Sequence, residues 1–306
     1  MKEKIFIIIL NWNRADDTLA CLKSLSSLDY FMLDPNVVVV DNGSTDNSID
    51  RISKFEPHNF KLHLIKNNSN FGFAKGNNIG IRYALKNKAD YVMILNNDTL
   101  VERKLLLNLV SVIKNDKKVG VVSPKIYFAK GFEFHKERYK KEDLGRVIWY
   151  AGGEIDWQNV MGINRGVDEV DCGQFDLVEE TGFATGCCSL FASYVLEKVG
   201  LFDERYFMYF EDVDLSVRIK KAGFKVFYQP DGVVWHKVAQ SSGIGSGLND
   251  YFISRNRLLF GFAYASFRTK AALFKESVRL LFKGREWQKK GVVDFYLGKF
   301  GKGSWD

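Results

Sequence analysis

The sequence predicts an α/β fold built on a doubly wound sheet, and three observations carry that expectation. Short, continuously apolar runs recur at 4–10 (KIFIIIL), 37–40 (VVVV) and 91–95 (YVMIL), as in strands buried on both faces. Segments with helical spacing separate them, which makes the β-α-β rhythm of a parallel sheet. Three of the first four predicted strands stop in clusters of Asn, Asp, Ser or Gly. Ligands of such sheets bind beyond the carboxyl ends of the strands.

The elements follow in order. After the strand at 4–10, a helix over 13–28 places Thr18, Leu22 and Leu25 in register. The strand at 37–40 ends sharply at Asp41-Asn42-Gly43-Ser44. A strand at 61–65, a helix at 74–87 and the strand at 91–95 complete the first half. Residues 130–143 are charge-dense and read as a surface loop or flap, and 149–186 read as irregular strands and loops. A strand at 187–192 precedes a helix from near Glu211 to Lys221, which Gly223 stops. A strand at 224–228 follows, and helices rich in Phe, Leu, Lys and Arg fill the chain beyond 250.

Composition narrows the class. Apolar residues at 46% and charged residues at 26% exclude a disordered chain. The apolar run Ile5–Leu10 is far short of the roughly 20 residues that span a bilayer, and the four cysteines include no CxxC pair, so a cytoplasmic, reduced protein is expected. The net charge of +7 is localised: residues 255–306 hold 12 Lys/Arg against 4 Asp/Glu, leaving the rest about neutral. A basic tail on a neutral body suits an anionic surface. No nucleic-acid motif accompanies it, so a phospholipid surface is preferred.

Several clusters could carry chemistry. Asp41 could accept a hydrogen bond from a base N–H, and Gly43 would let the backbone approach a ligand. The plain alternative is a turn in which Ser44 or Thr45 caps a helix near Asp46. Asn70–Asn78, rich in Gly and Asn before a helix, suits phosphate or sugar hydroxyls, or is a capping loop. Asp98, with Asn96 as a neutral ligand, could hold Mg²⁺ or Mn²⁺ beside substrate phosphate, or form an Asx-turn. Glu211, Asp212 and Asp214 open a helix after an aromatic run; the bland reading is capping by charge. Apolar walls could instead move a carboxyl towards working pH, as a general base requires. Asp214 is spaced to pair with Arg218. His236, after an apolar run, is structural or completes a metal shell.

Taken in order, these motifs resemble the family 2 glycosyltransferases of the GT-A fold, and most closely the rhamnosyltransferase-like branch of bacterial surface-polysaccharide synthesis. The resemblance covers about residues 4–260. It rests on Leu10-Asn11-Trp12-Asn13, Val40-Asp41-Asn42-Gly43-Ser44, Asn70-Phe71-Gly72-Phe73-Ala74 and Leu95-Asn96-Asn97-Asp98-Thr99. It continues through Ala184-Thr185-Gly186-Cys187, Gly200-Leu201-Phe202-Asp203-Glu204 and Glu211-Asp212-Val213-Asp214. The resemblance implies an inverting, metal-dependent transferase with a catalytic domain at 1–250. Its nucleotide-sugar half would be 1–100, its acceptor half 101–250, and a basic amphipathic tail would occupy 251–306.

Roles follow residue by residue. Asn11 and Asn13 would line the nucleotide pocket, with Gly43 and Ser44 beside them, and Asp41 would bind a pyrimidine base. Phe73, Lys75, Asn78 and Asn97 would approach the donor. Asp98 matches the last acid of the DxD metal motif, His236 a later ligand of Mn²⁺ or Mg²⁺, and Asn96 stands where the fuller motif has Asp. Asp212 matches the general base, with Glu211 beside it. Arg255 or Arg257 would meet the pyrophosphate or a lipid diphosphate. The implied partners are a dTDP- or UDP-linked donor and a glycan or lipid-linked acceptor. Phe267, Leu273, Phe274, Val278, Leu281 and Phe282 interleave with Lys and Arg, so the tail would lie on the inner face of the cell membrane, pack on the domain or dimerise. The rival functions are a non-catalytic sugar-binding module of the same fold and a sugar nucleotidyltransferase.

Overall fold

The computed structural model describes residues 2–238 and 246–305. Its first half alternates strand and helix: β1 (Glu3–Asn11), α1 (Ala15–Leu25), β2 (Leu33–Asp41), α2 (Ser48–Ser53), β3 (Lys61–Lys66), α3 (Gly72–Lys86) and β4 (Tyr91–Asn96). The second half runs β5 (Thr99–Val101), α4 (Leu105–Asn115), β6 (Val119–Phe128), β7 (Ile148–Tyr150), β8 (Gly153–Asp156), β9 (Met161–Asn164), β10 (Glu179–Glu180), β11 (Cys188–Ala192), α5 (Ser193–Val199), α6 (Glu211–Lys221) and β12 (Lys225–His236). The helices α7 (Gly247–Tyr264), α8 (Phe267–Lys283) and α9 (Glu286–Tyr296) close the chain.

One mixed sheet organises the molecule in the order β10-β12-β6-β11-β4-β1-β2-β3. The strands β4, β1, β2 and β3 pair in parallel, and β11 runs antiparallel between β4 and β6. Ile5, Ile7, Ile8 and Ile9 of β1 and Val37 to Val40 of β2 have no exposed surface, as strands covered on both faces require. The parallel register sets Asn11 opposite Asp41 and Leu10 opposite Asn96, so the polar strand ends meet at one edge.

Two features differ from expectation. The strand predicted at 224–228 continues to His236, across an irregularity between Gln229 and Val233 where Pro230 and Gly232 interrupt the apolar pattern. The helix predicted from 74 begins at Gly72, whose φ of +78° suits glycine. The C-terminal helices share the main core, through Leu258, Leu259, Phe260, Leu273 and Val292. Among the described residues, no helix is long and apolar enough to cross a membrane.

Helix α3 lies against β1 because Gly76 and Gly80 share one face. A Cβ at Gly80 would meet Ile8 Cγ2 at 2.4 Å, and one at Gly76 would meet Leu10 Cδ1 at 2.5 Å. Gly80→Val is expected to destabilise the fold by about 1–3 kcal/mol through overpacking, read as a lower urea midpoint. An unchanged midpoint would refute this close packing.

Candidate active site

The first part of the site forms where β1 and β2 end. Asp41 has no exposed surface; its Oδ1 accepts from Asn11 Nδ2 at 2.8 Å and Ser44 Oγ at 2.6 Å, and its Oδ2 from Ser44 N at 3.0 Å. Such bonding makes a buried carboxylate tolerable. Ser44 therefore serves Asp41, not a helix start, and α2 begins later, at Ser48. Asn13, at φ 52°, accepts Thr45 N at 2.8 Å and so holds the turn against β1. Gly43 has φ +77°, and a Cβ there would stand 2.6 Å from the Ser69 backbone, so only glycine fits. With no exposed surface, Asp41 reaches a base only if this turn opens.

Two residues without an assigned role connect these parts. Thr18 Oγ1 donates to Asn11 Oδ1 at 2.7 Å and accepts from Asn97 Nδ2 at 3.0 Å, linking the ends of β1 and β4. In the sequence it read only as an inward helical position. Asn42 donates to Asn70 Oδ1 at 2.9 Å and Gly72 O at 3.2 Å, and accepts Asn67 Nδ2 at 3.1 Å and Phe71 N at 3.2 Å. It ties the Asp41 turn to the start of α3. Its place inside that turn was the only signal.

Asp98 and His236 are brought together by sheet register. Thr99 pairs with His236 across β5 and β12, and Lys237 N donates to Asp98 O at 2.9 Å. Asp98 Oδ1 lies 3.1 Å from His236 Nε2. Yet among the described residues Asp98 Oδ1 and His236 Nδ1 are buried without a hydrogen-bond partner. Trp149 packs edge-on against the imidazole at 4.8 Å between ring centroids. Asn96 N donates to Cys187 O at 2.8 Å, which fixes the start of this loop.

Asp212 opens α6, partly exposed. Its Oδ2 accepts Gly186 N at 2.8 Å and its Oδ1 accepts Val213 N at 2.8 Å. Burial pushes the Asp212 carboxyl up, and the Gly186 and Val213 N–H groups oppose that rise. Glu211 is 5% exposed, and its Oε2 has no partner among the described residues. Burial first, then the neighbouring Asp212, pushes its carboxyl well above the usual range. Asp214 is structural: it accepts Arg218 Nε at 2.7 Å and Tyr264 OH at 2.8 Å. Gly186 and Cys187 thus hold the two acidic loops through consecutive residues. The buried Cys187 thiol is raised by burial and then by the charge of Asp98, with Asp212 also contributing.

Other expected donor contacts are differently placed. Phe73 packs edge-on against Phe202, with ring centroids 6.0 Å apart, and a Cβ at Gly186 would meet its ring at 3.1 Å. Lys75 Nζ sits 4.3 Å from the centre of the Phe71 ring. The Asn78 amide is committed to Phe202 O at 2.9 Å, Glu204 Oε1 at 3.1 Å and Phe202 N at 3.1 Å. Arg255, expected at a diphosphate, is instead buried with 0% exposure and donates to Gly301 O at 2.7 Å and Tyr206 O at 2.9 Å. Backbone carbonyls satisfy it inside the protein, which removes it from the set facing a ligand. Arg257 is paired with Glu276 at 2.7 Å and donates to Asn159 O at 2.7 Å.

Glu211 has a stability signature. Its carboxyl is raised in the folded state, so the folded protein binds this proton more tightly than the unfolded chain. Its stabilising contribution is full below the unfolded value, about 4.3, and is lost as pH rises through the folded value. Glu211→Gln is expected to raise the melting temperature relative to the parent, by an amount that grows from pH 4 to pH 8. A pH-independent difference would remove the buried proton from Glu211.

Comparison with known proteins identifies the family and the fold. The chain is 24% identical over 261 residues to the low-salt glycan biosynthesis hexosyltransferase Agl10 of Haloferax volcanii, covering 85% of this chain and 76% of the relative. It is 25% identical over 251 residues to the dTDP-rhamnosyl transferase RfbF of Shigella flexneri, covering 81% and 74%. The mannosyltransferase PcManGT of Pyrobaculum calidifontis, solved with GDP-Man and Mn²⁺, shares the fold: TM-score 0.54, 17% identity, 100% of this chain and 88% of that one. That is the GT-A fold, a mixed sheet with helices on its faces. The profile of Glycosyl transferase family 2 matches residues 6–200, most of the sheet and the acidic loop at Asp98, and the chain belongs to that family as a glycosyltransferase.

Proposed function

We propose that this glycosyltransferase moves a sugar from a dTDP- or UDP-linked donor to a hydroxyl of a glycan or lipid-linked acceptor, inverting the anomeric carbon, in cell-surface polysaccharide synthesis. The observation that carries the reading is the Asp212 carboxylate, partly exposed on Gly186 N, one residue from the peptide that holds the Asp98 loop. A hydroxyl is a weak nucleophile until a base takes its proton as attack begins. Asp212 suits that step: burial raises its basicity, and two backbone N–H groups fix its oxygens. One base and one displacement invert the reacting carbon. Beside this base, burial and then the charge of Asp212 push the Glu211 carboxyl well above its usual range. Rhamnose is the preferred sugar, because RfbF is named for a dTDP-rhamnosyl donor.

Asp98 and His236 fit a divalent ion, with Asn96 as a neutral neighbour. Among the described residues Asp98 Oδ1 and His236 Nδ1 are buried without a partner, and Asp98 Oδ1 lies 3.1 Å from His236 Nε2. Among the described residues no three His, Cys, Asp or Glu converge as a complete cage. An ion such as Mg²⁺ takes one or two protein carboxylates and completes its shell with phosphate oxygens and water. When bound, the ion would neutralise charge on the departing diphosphate. PcManGT was solved with Mn²⁺.

Helix α8 supports a peripheral place on an anionic membrane, at its inner face. Phe267, Phe274, Val278 and Phe282 are 89%, 54%, 37% and 79% exposed and fall on one stripe, while Leu273 and Ser277 on an adjacent face are buried. Arg268, Lys275, Arg279 and Lys283 border the stripe.

Asp212→Asn is expected to lower transfer at least 10²-fold, as loss of a general base does, while the thermal shift on nucleotide binding stays. Near-normal transfer would refute the assignment. In the same assay, Asp98→Ala is expected to abolish the response to added Mn²⁺; a parental metal titration would take Asp98 out of the site. Phe274→Ser with Phe282→Ser is expected to reduce co-sedimentation with phosphatidylglycerol vesicles. Equal sedimentation, or loss of a dimer in its place, would remove the membrane reading.

A further inference from the structure

The chain enters α6 through an unusual backbone. Phe207, Tyr209 and Phe210 lie at φ 64°, 67° and 74°. Large side chains keep this conformation only where their surroundings over-determine it. Those surroundings are two side chains of α7. Asn256 Nδ2 donates to Tyr206 O at 2.9 Å, Met208 O at 2.7 Å and Tyr209 O at 3.0 Å. Arg255 Nη2 donates to Arg205 O at 3.2 Å and Tyr206 O at 2.9 Å, its Nη1 to Gly301 O at 2.7 Å, and its Nε to Asn256 Oδ1 at 3.0 Å. Both residues have no exposed surface. From the other side, Phe73 N and Ala74 N, at the start of α3, converge on Phe207 O at 2.6 and 3.1 Å.

We infer that Asn256 and Arg255 are positioning residues for the transfer step: they clamp 205–210, and so set where α6 begins and where Asp212 meets Gly186 N. Both are fully buried and act through Asp212. The inference rests on Asp212 as the base. The physical link is short. Asp212 is the second residue of α6, and Phe210, the residue before the helix, is itself at positive φ. Without the clamp, the loop relaxes towards ordinary φ, α6 shifts at its first turn, and the 2.8 Å bond from Gly186 N lengthens.

The test uses the full chain with Asn256→Ala and Arg255→Lys. Amide exchange at Gly186 reads the base position without substrate, and the amides of β1 serve as an internal reference. The expected result is exchange at Gly186 about ten-fold faster with β1 unchanged. Turnover is then followed as nucleoside diphosphate released from a panel of dTDP-, UDP- and GDP-sugars. There, kcat is expected to fall about 10- to 100-fold, as small misplacement of a reacting group does, with donor KM within about three-fold. The acid limb of the kcat profile is expected to move to higher pH, because a lost N–H donor stabilises the carboxylate less. Glu211 on α6, itself influenced by Asp214, with Cys187 and Tyr150 from the sheet, are the other groups that interact with Asp212, and neither variant alters them. A purely structural role predicts faster exchange everywhere and an unmoved limb; that result overturns the inference, as does parental protection at Gly186. Where Asn256→Ala fails to fold, Arg255→Lys decides on the same readouts. Failure of the base assignment shows separately, as activity kept by Asp212→Asn.

Discussion

The peptide units of Gly186 and Cys187 hold the site together. Gly186 N binds the Asp212 carboxylate, and Cys187 O binds Asn96 N at the end of β4. Two loops far apart in sequence, one with the proposed base and one with the proposed metal acid, are thus joined by one short stretch leading into β11. The pairing of Cys188 with Leu95 keeps that stretch in register with the sheet. Loss of this register would separate the acids even if every side chain remained. A Cβ at Gly186 would meet the Phe73 ring at 3.1 Å, so the stretch also lies close against the start of α3.

Burying carboxylates is costly unless each finds a partner, and the four acids here solve the problem differently. Asp41 and Asp214 are fully satisfied by neighbouring side chains and act as fixed struts. Asp212 is held only by backbone N–H groups and stays partly exposed. Glu211 is buried with an oxygen that finds no partner among the described residues, and burial pushes its carboxyl well above the usual range. The strain is concentrated in the same place: positive φ in a large residue costs about 1–2 kcal/mol, and three such residues precede the acids. Strain and unsatisfied polarity thus gather at one edge of the sheet, among the residues proposed for the site.

Much of this was legible in the residues. The apolar runs and the polar clusters after them located β1, β2 and β4 and the edge where the site lies. The spacing of Asp214 and Arg218 foretold their ion pair, observed at 2.7 Å. The ordered motifs pointed to the family. Less legible were residues whose chemistry and position disagree. Arg255 looked like a diphosphate ligand because it is basic, yet its guanidinium is buried on backbone carbonyls. Asn78 looked like a donor contact because Gly and Asn surround it, yet its amide holds the 202–204 turn.

The sequence by itself determined the sheet, its polar edge and the family, because these depend on local periodicity and short motifs. Only the tertiary structure decided which polar groups are free. Pairing between residues far apart in the chain consumes the hydrogen bonds of Asn78, Arg255 and Asp41, and among the described residues leaves Asp98, His236 and Glu211 with atoms unmatched. Hydrogen-bond satisfaction is a property of the whole folded surround, and no stretch of residues carries it alone.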